Sequence, residues 1–206
     1  MNIAIIDYDL GNTASVGRAL ELLGYRYKIT RDAKEISAAD CLILPGVGAF
    51  NEAMHKLNHY NLIDHLNTCV VGKQKPIVGI CLGMQLLASD SYENGYTIGL
   101  GWIPGSVIRF REDMGVAIPH VGWNEVHCQN DPIFKKLPDK PDFYFDHSYH
   151  FNVDNKDHVK AIVNYGEPVV AVVQKENIIG LQFHPEKSSK NGLRLLRGIL
   201  GEVESC

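Results

Sequence analysis

The residues with the clearest chemical potential surround Cys81, in the sequence Gly79-Ile80-Cys81-Leu82-Gly83. An apolar, β-branched run precedes Cys81 and helix-type apolar spacing follows it, which is the nucleophile-elbow pattern with cysteine in place of serine. The glycines suit a sharp turn that crowds the neighbours of the nucleophile. At a helix N-terminus, the dipole and free N–H groups favour a thiolate and can hold an oxyanion. We therefore predict a nucleophile rather than a small buried hydrophobic residue.

A second reactive group follows another apolar segment, residues 178–183, which is typical of a buried strand. His184-Pro185-Glu186 comes directly after it. Residues two apart in an extended chain point the same way, and a proline favours an extended backbone in the residue before it. Glu186 can therefore orient the His184 imidazole, and Cys81 completes a nucleophile, base and carboxylate set. The alternative for His184 alone is an ordinary core or surface histidine.

The elements that must position these groups alternate between strand and helix over the first two-thirds of the chain. Strands are predicted at 2–6, 25–29, 40–44 and 76–80, and helices near 13–23, over 51–72 and after Cys81. Short β-rich segments follow from about 96 to 183, and a last helix begins after Ser189. This alternation predicts an α/β fold with a parallel sheet covered on both faces, in one domain spanning residues 1–206.

Composition narrows the functional classes. The 206 residues are 45% hydrophobic and carry a formal charge of −4, which argues against a surface for nucleic acid or anionic membranes. No apolar run approaches the roughly 18 residues of a membrane span. The five cysteines are scattered without metal-ligand spacing, so we expect no metal site, no disulfides and a reducing cytoplasm.

Glycines also follow the predicted strand 40–44, in Pro45-Gly46-Val47-Gly48. The carboxyl ends of strands bind ligands in open α/β sheets, so the backbone N–H groups of this turn can face a site there. An ordinary glycine-rich turn is the alternative. No Gly-Lys-Ser/Thr follows, and Asp9-Leu10-Gly11-Asn12 does not complete a dinucleotide-binding pattern, so nucleotide binding is disfavoured.

Three motifs together carry a family resemblance: Pro-Gly-Val-Gly at 45–48, Gly-Ile-Cys-Leu-Gly-Met-Gln at 79–85 and Gln-Phe-His-Pro-Glu-Lys-Ser at 182–188. In this order they resemble the triad-type glutamine amidotransferases. The segments 119–124 and 144–149 resemble the glutaminase subunits of imidazole glycerol phosphate synthases within that family. The resemblance implies a flavodoxin-like, mostly parallel open sheet with additional short β-segments. It also implies glutamine hydrolysis without a cofactor, and a (β/α)8-barrel cyclase partner that receives the ammonia.

The resemblance also assigns roles to single residues. Cys81 attacks glutamine, His184 acts as acid and base, and Glu186 orients His184. The oxyanion and the bound glutamine are assigned to Gly46, Val47, Gly48, Leu82, Gln85, His147, Ser148 and Tyr149. The partner face is assigned to Asn12, His120, Trp123, Tyr144 and Lys187.

One residue departs from the family pattern, because Asp146 stands before His-Ser-Tyr where an apolar residue, commonly Val, is usual. A carboxylate there must be exposed or paired. Because of this departure, the motifs do not decide which partner protein the chain serves. A related glutaminase that supplies another acceptor, such as a surface-sugar amidation system, is one alternative. A catalytically silent scaffold and a stand-alone cysteine hydrolase are two more. The intact triad argues against the scaffold.

Overall fold

A mixed sheet forms the centre of the structure, a computed structural model that describes residues 1–205. Its strands and those of a smaller second sheet are β1 (Asn2–Ile6), β2 (Arg26–Thr30), β3 (Cys41–Gly46), β4 (Ile77–Cys81), β5 (Asp90–Ser91), β6 (Thr97–Ile98), β7 (Gly105–Arg109), β8 (His120–Cys128), β9 (Asp142–His147), β10 (Tyr149–Val153), β11 (Val159–Tyr165), β12 (Glu167–Lys175) and β13 (Ile178–Leu181). The helices are α1 (Thr13–Leu23), α2 (Ala33–Ala38), α3 (Phe50–His59), α4 (Leu62–Asn67), α5 (Leu82–Gln85) and α6 (Ser189–Ser205).

Within the described residues, the large sheet has the order β2-β1-β3-β4-β13-β12-β11-β8-β9. The pairs from β2 to β13 are parallel and those from β13 to β9 are antiparallel. The parallel half has the flavodoxin-type order. The α/β fold is thus confirmed, but the expected parallel pairing extends over only half of the sheet. The short strands form a second sheet in the order β10-β7-β5-β6.

The core lies on both faces of the large sheet. β3, β4 and β13 are buried along their whole length, as expected for central parallel strands covered by helices. Alternate residues of β4 enter different apolar clusters, with Ile77 on one side and Val78 on the other. The end of β4 is therefore held rigidly from both sides. No helix within residues 1–205 is long and apolar enough to cross a membrane.

The helix predicted over 51–72 is interrupted. α3 ends at His59, Asn61 adopts a left-handed backbone with φ 55°, and α4 begins at Leu62. α4 continues into a π-helical turn, Thr68–Gly72. Asparagine is one of the few residues that adopt this conformation readily, so Asn61 is where the chain can bend. α2 was not predicted, although Asp32 caps it by accepting from two backbone N–H groups.

Candidate active site

Cys81 occupies the last position of β4 in a conformation that side chains rarely adopt, with φ 54° and ψ −111°. The flanking glycines make this turn possible. A Cβ at Gly83 would lie 1.8 Å from the Leu44 carbonyl oxygen, and one at Gly79 would lie 2.6 Å from the Gly83 oxygen. A side chain at either position would push α5 away from the strands beneath it. A strained residue held this firmly marks a functional turn.

The helix after the elbow is short, because α5 ends at Gln85 after four residues. Backbone N–H groups from a distant segment donate hydrogen bonds to the carbonyl oxygens that would otherwise accept within a longer helix. Leu100 N–H donates to Leu86 O at 2.9 Å, and Trp102 N–H donates to Leu87 O at 3.0 Å. A single turn has only a weak dipole. The predicted benefit to a thiolate must therefore come mainly from local N–H groups and neighbouring side chains.

His184 reaches Cys81 because β13 lies parallel to β4, with Leu181 paired to Ile80. The strand ends earlier than predicted, at Leu181. A backbone hydrogen bond from His184 N–H to Tyr144 O, at 2.9 Å, fixes the following residues. His184 Nδ1 lies 2.8 Å from Glu186 Oε1. Glu186 belongs to a tight 3-10 turn, so this turn brings the carboxylate to the ring, rather than an extended chain.

The imidazole of His184 is buried in a charged setting, and its side chain is 2% exposed. Burial lowers its pKa, but hydrogen bonding and charge interaction with Cys81 and Glu186 outweigh burial and raise the pKa from 6.5 to about 10. The ring is therefore an imidazolium at neutral pH. Since Nδ1 faces Glu186, Nε2 is the atom left to exchange a proton at Cys81.

A cavity of about 280 Å³ opens in front of the sulfur. It is lined by Val47, Gly48, Cys81, Leu82, Gln85, Glu93, Pro119, Asp146, His147, Ser148, Tyr149 and His184. Gln85 is 4% exposed, which excludes a merely solvated side chain. Its Nε2 donates to Tyr149 O at 2.9 Å and to Gln182 Oε1 at 3.2 Å. The cavity thus has a fixed polar wall opposite the thiol.

The loop of residues 45–48, called the oxyanion loop below, starts beside the nucleophile, because Gly46 is the register partner of Cys81. The Val47 N–H donates to Leu10 O at 3.1 Å. A backbone N–H committed to a carbonyl is not available to an oxyanion in the cavity. The structure therefore has Val47 and Gly48 at the cavity, with the Val47 N–H turned to another partner.

A chain of buried histidines supports the wall of the cavity. His147 Nδ1 lies 2.7 Å from Tyr149 O, and its Nε2 lies 3.1 Å from His120 Nδ1. Asn124 Nδ2 lies 2.7 Å from His120 Nε2. Burial lowers the pKa of His120 to about 4 and that of His147 to about 3. Both rings are neutral, so each ring N–H can donate along the chain toward Tyr149 O.

His120, which was assigned to the predicted partner face, is a buried residue in this structure. It is 0% exposed and stacks between Phe145 and Tyr165, with ring centroids 4.5 and 3.8 Å away. Strand alternation explains the difference, since His120 points inward and Val121 points outward along β8. His120 is therefore buried behind this surface, and its assignment to the partner interface stays a prediction.

The other residues of the predicted partner face lie near the surface, and two exposed apolar side chains mark it. Trp123 is 47% and Val121 is 54% exposed. Trp123 packs edge-on against Tyr144, and Lys187 lies 5.5 Å above the Tyr144 ring. Asn12 is partly buried at the start of α1.

Asp146 is exposed and pairs with Val121 across β8 and β9. Its carboxylate forms no ion pair with another residue of the described part of the chain. Of the two predicted possibilities, exposed or paired, exposure is the one observed. Its backbone carbonyl lies 3.9 Å from Cys81 Sγ.

Glu93, Tyr8 and Gln182 are among the residues at the site that were not predicted. Glu93 lines the cavity, and its Oε2 accepts from Phe50 N–H at 2.8 Å. Burial raises the Glu93 pKa even though this hydrogen bond lowers it. Tyr8 donates to Pro45 O at 2.7 Å under the oxyanion loop, and Gln182 fixes Gln85. Their positions depend on tertiary contacts, and only Gln182 lies inside a quoted motif.

The described residues were also compared with the arrangements that bind metal ions. Across residues 1–205, no group of three or more His, Cys, Asp or Glu side chains is arranged to hold a metal ion. The described cysteines Cys41, Cys69, Cys81 and Cys128 are all free thiols.

Comparison with known proteins gives consistent matches along the whole chain. A family model described as "Glutamine amidotransferase class-I" matches residues 4–200. The chain is 48% identical over 206 residues to imidazole glycerol phosphate synthase subunit HisH 2 of Vibrio vulnificus, covering 99% of this chain and 96% of the relative. It is 45% identical over 204 residues to subunit HisH of Listeria monocytogenes, covering 99% and 97%.

Solved structures agree on the fold. The structure of PurLQS from Thermotoga maritima superposes with a TM-score of 0.74 at 17% identity, covering 98% of this chain and 98% of the matched chain. At this identity the likeness concerns the fold alone.

Proposed function

Since the chain belongs to the class-I glutamine amidotransferase family, we propose that it is the glutamine-hydrolysing subunit of an imidazole glycerol phosphate synthase. One observation carries the chemistry: a strained Cys81, with φ 54°, faces a cavity beside the His184–Glu186 pair, whose atoms lie 2.8 Å apart. The cavity of about 280 Å³ can hold a small amino acid. Relatives that are 45% to 48% identical over nearly their whole length carry the synthase name.

The reaction begins with attack of the Cys81 thiolate on the side-chain amide carbon of glutamine. The new C–S bond places negative charge on the amide oxygen. His184, protonated because its pKa is raised to about 10, gives the Nε2 proton to the departing nitrogen. The C–N bond breaks, and ammonia and a γ-glutamyl thioester remain. The neutral imidazole then takes a proton from water, whose oxygen attacks the thioester and releases glutamate.

The oxyanion requires donors fixed before the reaction. We assign one to the Leu82 N–H, which directly follows the nucleophile, and one to the Val47 N–H of the oxyanion loop. The polar wall of Gln85, Ser148 and Tyr149 is suited to the α-amino and α-carboxyl groups of the substrate. Glu93, on the same cavity, adds a carboxyl group that can accept from an ammonium group.

The Val47 donor explains why the isolated chain should be slow. Its N–H donates to Leu10 O at 3.1 Å, so the proposed oxyanion site has lost one donor in this conformation. Loss of one such donor in other enzymes lowers kcat by about 100- to 1,000-fold. Docking of a partner that favours the reoriented loop would restore the donor, as expected for a shift between two existing conformations.

The partner we propose is a (β/α)8-barrel cyclase that docks on the face of Trp123, Tyr144 and Lys187 and forms a heterodimer. Aromatic side chains such as Trp123 and Tyr144 are enriched in protein interfaces. Ammonia would pass between the two proteins through an internal channel and join a phosphorylated acceptor in a lyase reaction. Histidine biosynthesis in the cytoplasm is the proposed setting, because the relatives bear the name of that synthase.

The test combines the purified chain with a histidine-pathway cyclase barrel and measures glutamate release with and without the acceptor. We expect slow hydrolysis by the chain alone and strong stimulation by partner plus acceptor. Cys81→Ala should abolish glutamine hydrolysis but leave docking and ammonium-dependent synthesis at high pH intact. Cys128→Ala is the matched control, since Cys128 lies on β8 away from the cavity.

Three results would contradict the proposal. Substantial glutamine-dependent turnover by Cys81→Ala would exclude the nucleophile. Full turnover by the wild-type chain without a partner would favour a stand-alone hydrolase. Binding and stimulation by a sugar-pathway barrel, but not by the cyclase, would identify another acceptor.

A further inference from the structure

We propose that Asp9 is a positioning residue that keeps the Val47 N–H turned away from the cavity by anchoring the segment 8–11 against the oxyanion loop. This inference rests on the proposed glutaminase function, because it concerns the resting conformation of the same site. Its structural half, the anchoring of Leu10, can be measured without any activity.

The segment 8–11 contacts the oxyanion loop at three successive points. Tyr8 Oη donates to Pro45 O at 2.7 Å. The Val47 N–H donates to Leu10 O at 3.1 Å. Gly11 packs so closely that an added Cβ would lie 3.0 Å from the Pro45 ring. The position of the loop therefore depends on the position of this segment, and above all on the Leu10 carbonyl.

Asp9 directly precedes Leu10, so a fixed Asp9 limits the movement of the Leu10 carbonyl. Its backbone has a positive φ of 71°, which non-glycine residues seldom adopt, so the turn into Leu10 needs support. The carboxylate provides it: Arg31 donates at 2.7 Å, Lys56 at 3.2 Å, and the Tyr60 hydroxyl also donates. We call these four residues, Asp9 and its three donors, the Asp9 anchor.

The anchor is a connected network. The Arg31 guanidinium lies 4.1 Å above the Tyr60 ring and also donates to Asp7 at 2.7 Å. Hydrogen bonds from Tyr60 and Arg31 hold the Asp9 pKa far below its usual range, so the carboxylate remains charged at any assay pH. Networks of charges stabilise a conformation more than isolated exposed pairs do.

The Asp9 anchor connects the segment 8–11 to α3, the helix that follows the oxyanion loop. Lys56 lies on α3, which begins at Phe50, two residues beyond the loop. Asp9 lies between β1 and α1, before the loop in sequence. The anchor thus ties α3 to the segment 8–11 with the loop between them. Reorienting the Val47 N–H requires release of Leu10 O, and a firmly held Leu10 raises the free energy of that step.

The experiment compares Asp9→Asn with wild type in the full chain. Asparagine preserves the shape and tolerates the left-handed backbone, so mainly the charge is removed. Glu35→Gln is the matched control, because Glu35 is a carboxylate bound by Lys28 and Thr30 that is not in contact with the oxyanion loop. Amide hydrogen exchange at Val47 and glutaminase activity, each with and without the cyclase partner and acceptor, are measured.

We expect Asp9→Asn to increase the Val47 exchange rate and the partner-independent glutaminase rate about fivefold, as suits an exposed charge network. The maximal stimulated rate should stay within about twofold of wild type, because the docked state no longer uses the bond from Val47 to Leu10. Glu35→Gln should leave both readings unchanged.

Unchanged Val47 exchange and unchanged basal activity in Asp9→Asn would overturn the proposal. Equal losses of basal and stimulated activity would also overturn it, since they indicate a general structural role. Faster Val47 exchange in a chain whose wild type shows no hydrolysis with any partner would support the anchor and reject the proposed function.

Discussion

The strained conformation of Cys81 makes a stability prediction that is separate from catalysis. Cys81→Gly and Cys81→Ala both remove the sulfur, so their difference reports on the backbone. With φ 54° and ψ −111°, residue 81 lies in a region where a Cβ costs about 1–3 kcal/mol. Glycine relieves this strain but loses about 0.5–1 kcal/mol more in chain entropy on folding. From the middle of each range, we expect the glycine variant to be more stable than the alanine variant by about 1 kcal/mol.

Thermal and denaturant unfolding can resolve this difference. For a protein of this size, each kcal/mol shifts Tm by about 2–4 °C, so the glycine variant should melt about 2–4 °C higher. The same pair of substitutions at Cys128 is the control. That residue lies in β8 and is not among the positive-φ residues, so there alanine should be more stable than glycine by about 0.5–1 kcal/mol.

The two sites should therefore rank their variants in opposite orders. A Cys81→Gly variant no more stable than Cys81→Ala, with the expected order at Cys128, would refute the claim that the elbow is strained. In that case the unusual dihedral angles would carry no energetic cost, and the flanking glycines would serve packing alone.

Two further predictions concern the elbow and its base. The Gly83→Ala side chain would meet the Leu44 carbonyl at 1.8 Å, so we expect this variant to lose about 3 kcal/mol of unfolding free energy and most of its activity. In the control Gly201→Ala in α6, the added Cβ meets nothing within 4 Å, so the unfolding free energy should rise by up to about 1 kcal/mol. Equal effects of the two variants would contradict this prediction. Because the His184 pKa is raised from 6.5 to about 10, its contribution to stability should be complete below pH 6.5 and disappear as the pH rises through 10. NMR titration of the imidazole should show the raised pKa in wild type and a lower one in Cys81→Ala, and identical values would exclude the interaction with the thiolate.

Local patterns in the sequence predicted the parts of the fold that depend on neighbouring residues. Strand β4, the turn at Cys81 and helix α1 follow from apolar periodicity and glycine placement, and the structure has them within a residue or so. The family predicted from three motifs is confirmed by the match over residues 4–200. Such motifs are readable because the chemistry of a turn requires particular residues at fixed spacing.

The features that the sequence did not predict arise where distant segments decide local structure. α5 stops at Gln85 because the carbonyls of Leu86 and Leu87 bond to residues beyond 99, which no periodicity reveals. His120 is buried because strand alternation and a surrounding aromatic stack place it inward. Likewise, Asp9 joins the site only through partners on other elements. Side chains that act through tertiary contacts leave no local pattern to recognise.

The place of β13 in the sheet has a consequence for biosynthesis. β13 lies between β4 and β12, yet it is the last strand of the large sheet to leave the ribosome. Until residues 178–181 emerge, β4 presents five apolar residues along an unpaired edge, the kind of edge that pairs with other chains. His184 follows that strand, so the imidazolium cannot reach the thiol earlier. The nascent chain is thus vulnerable to aggregation and chemically inert for the same interval, and both conditions end when one strand is inserted.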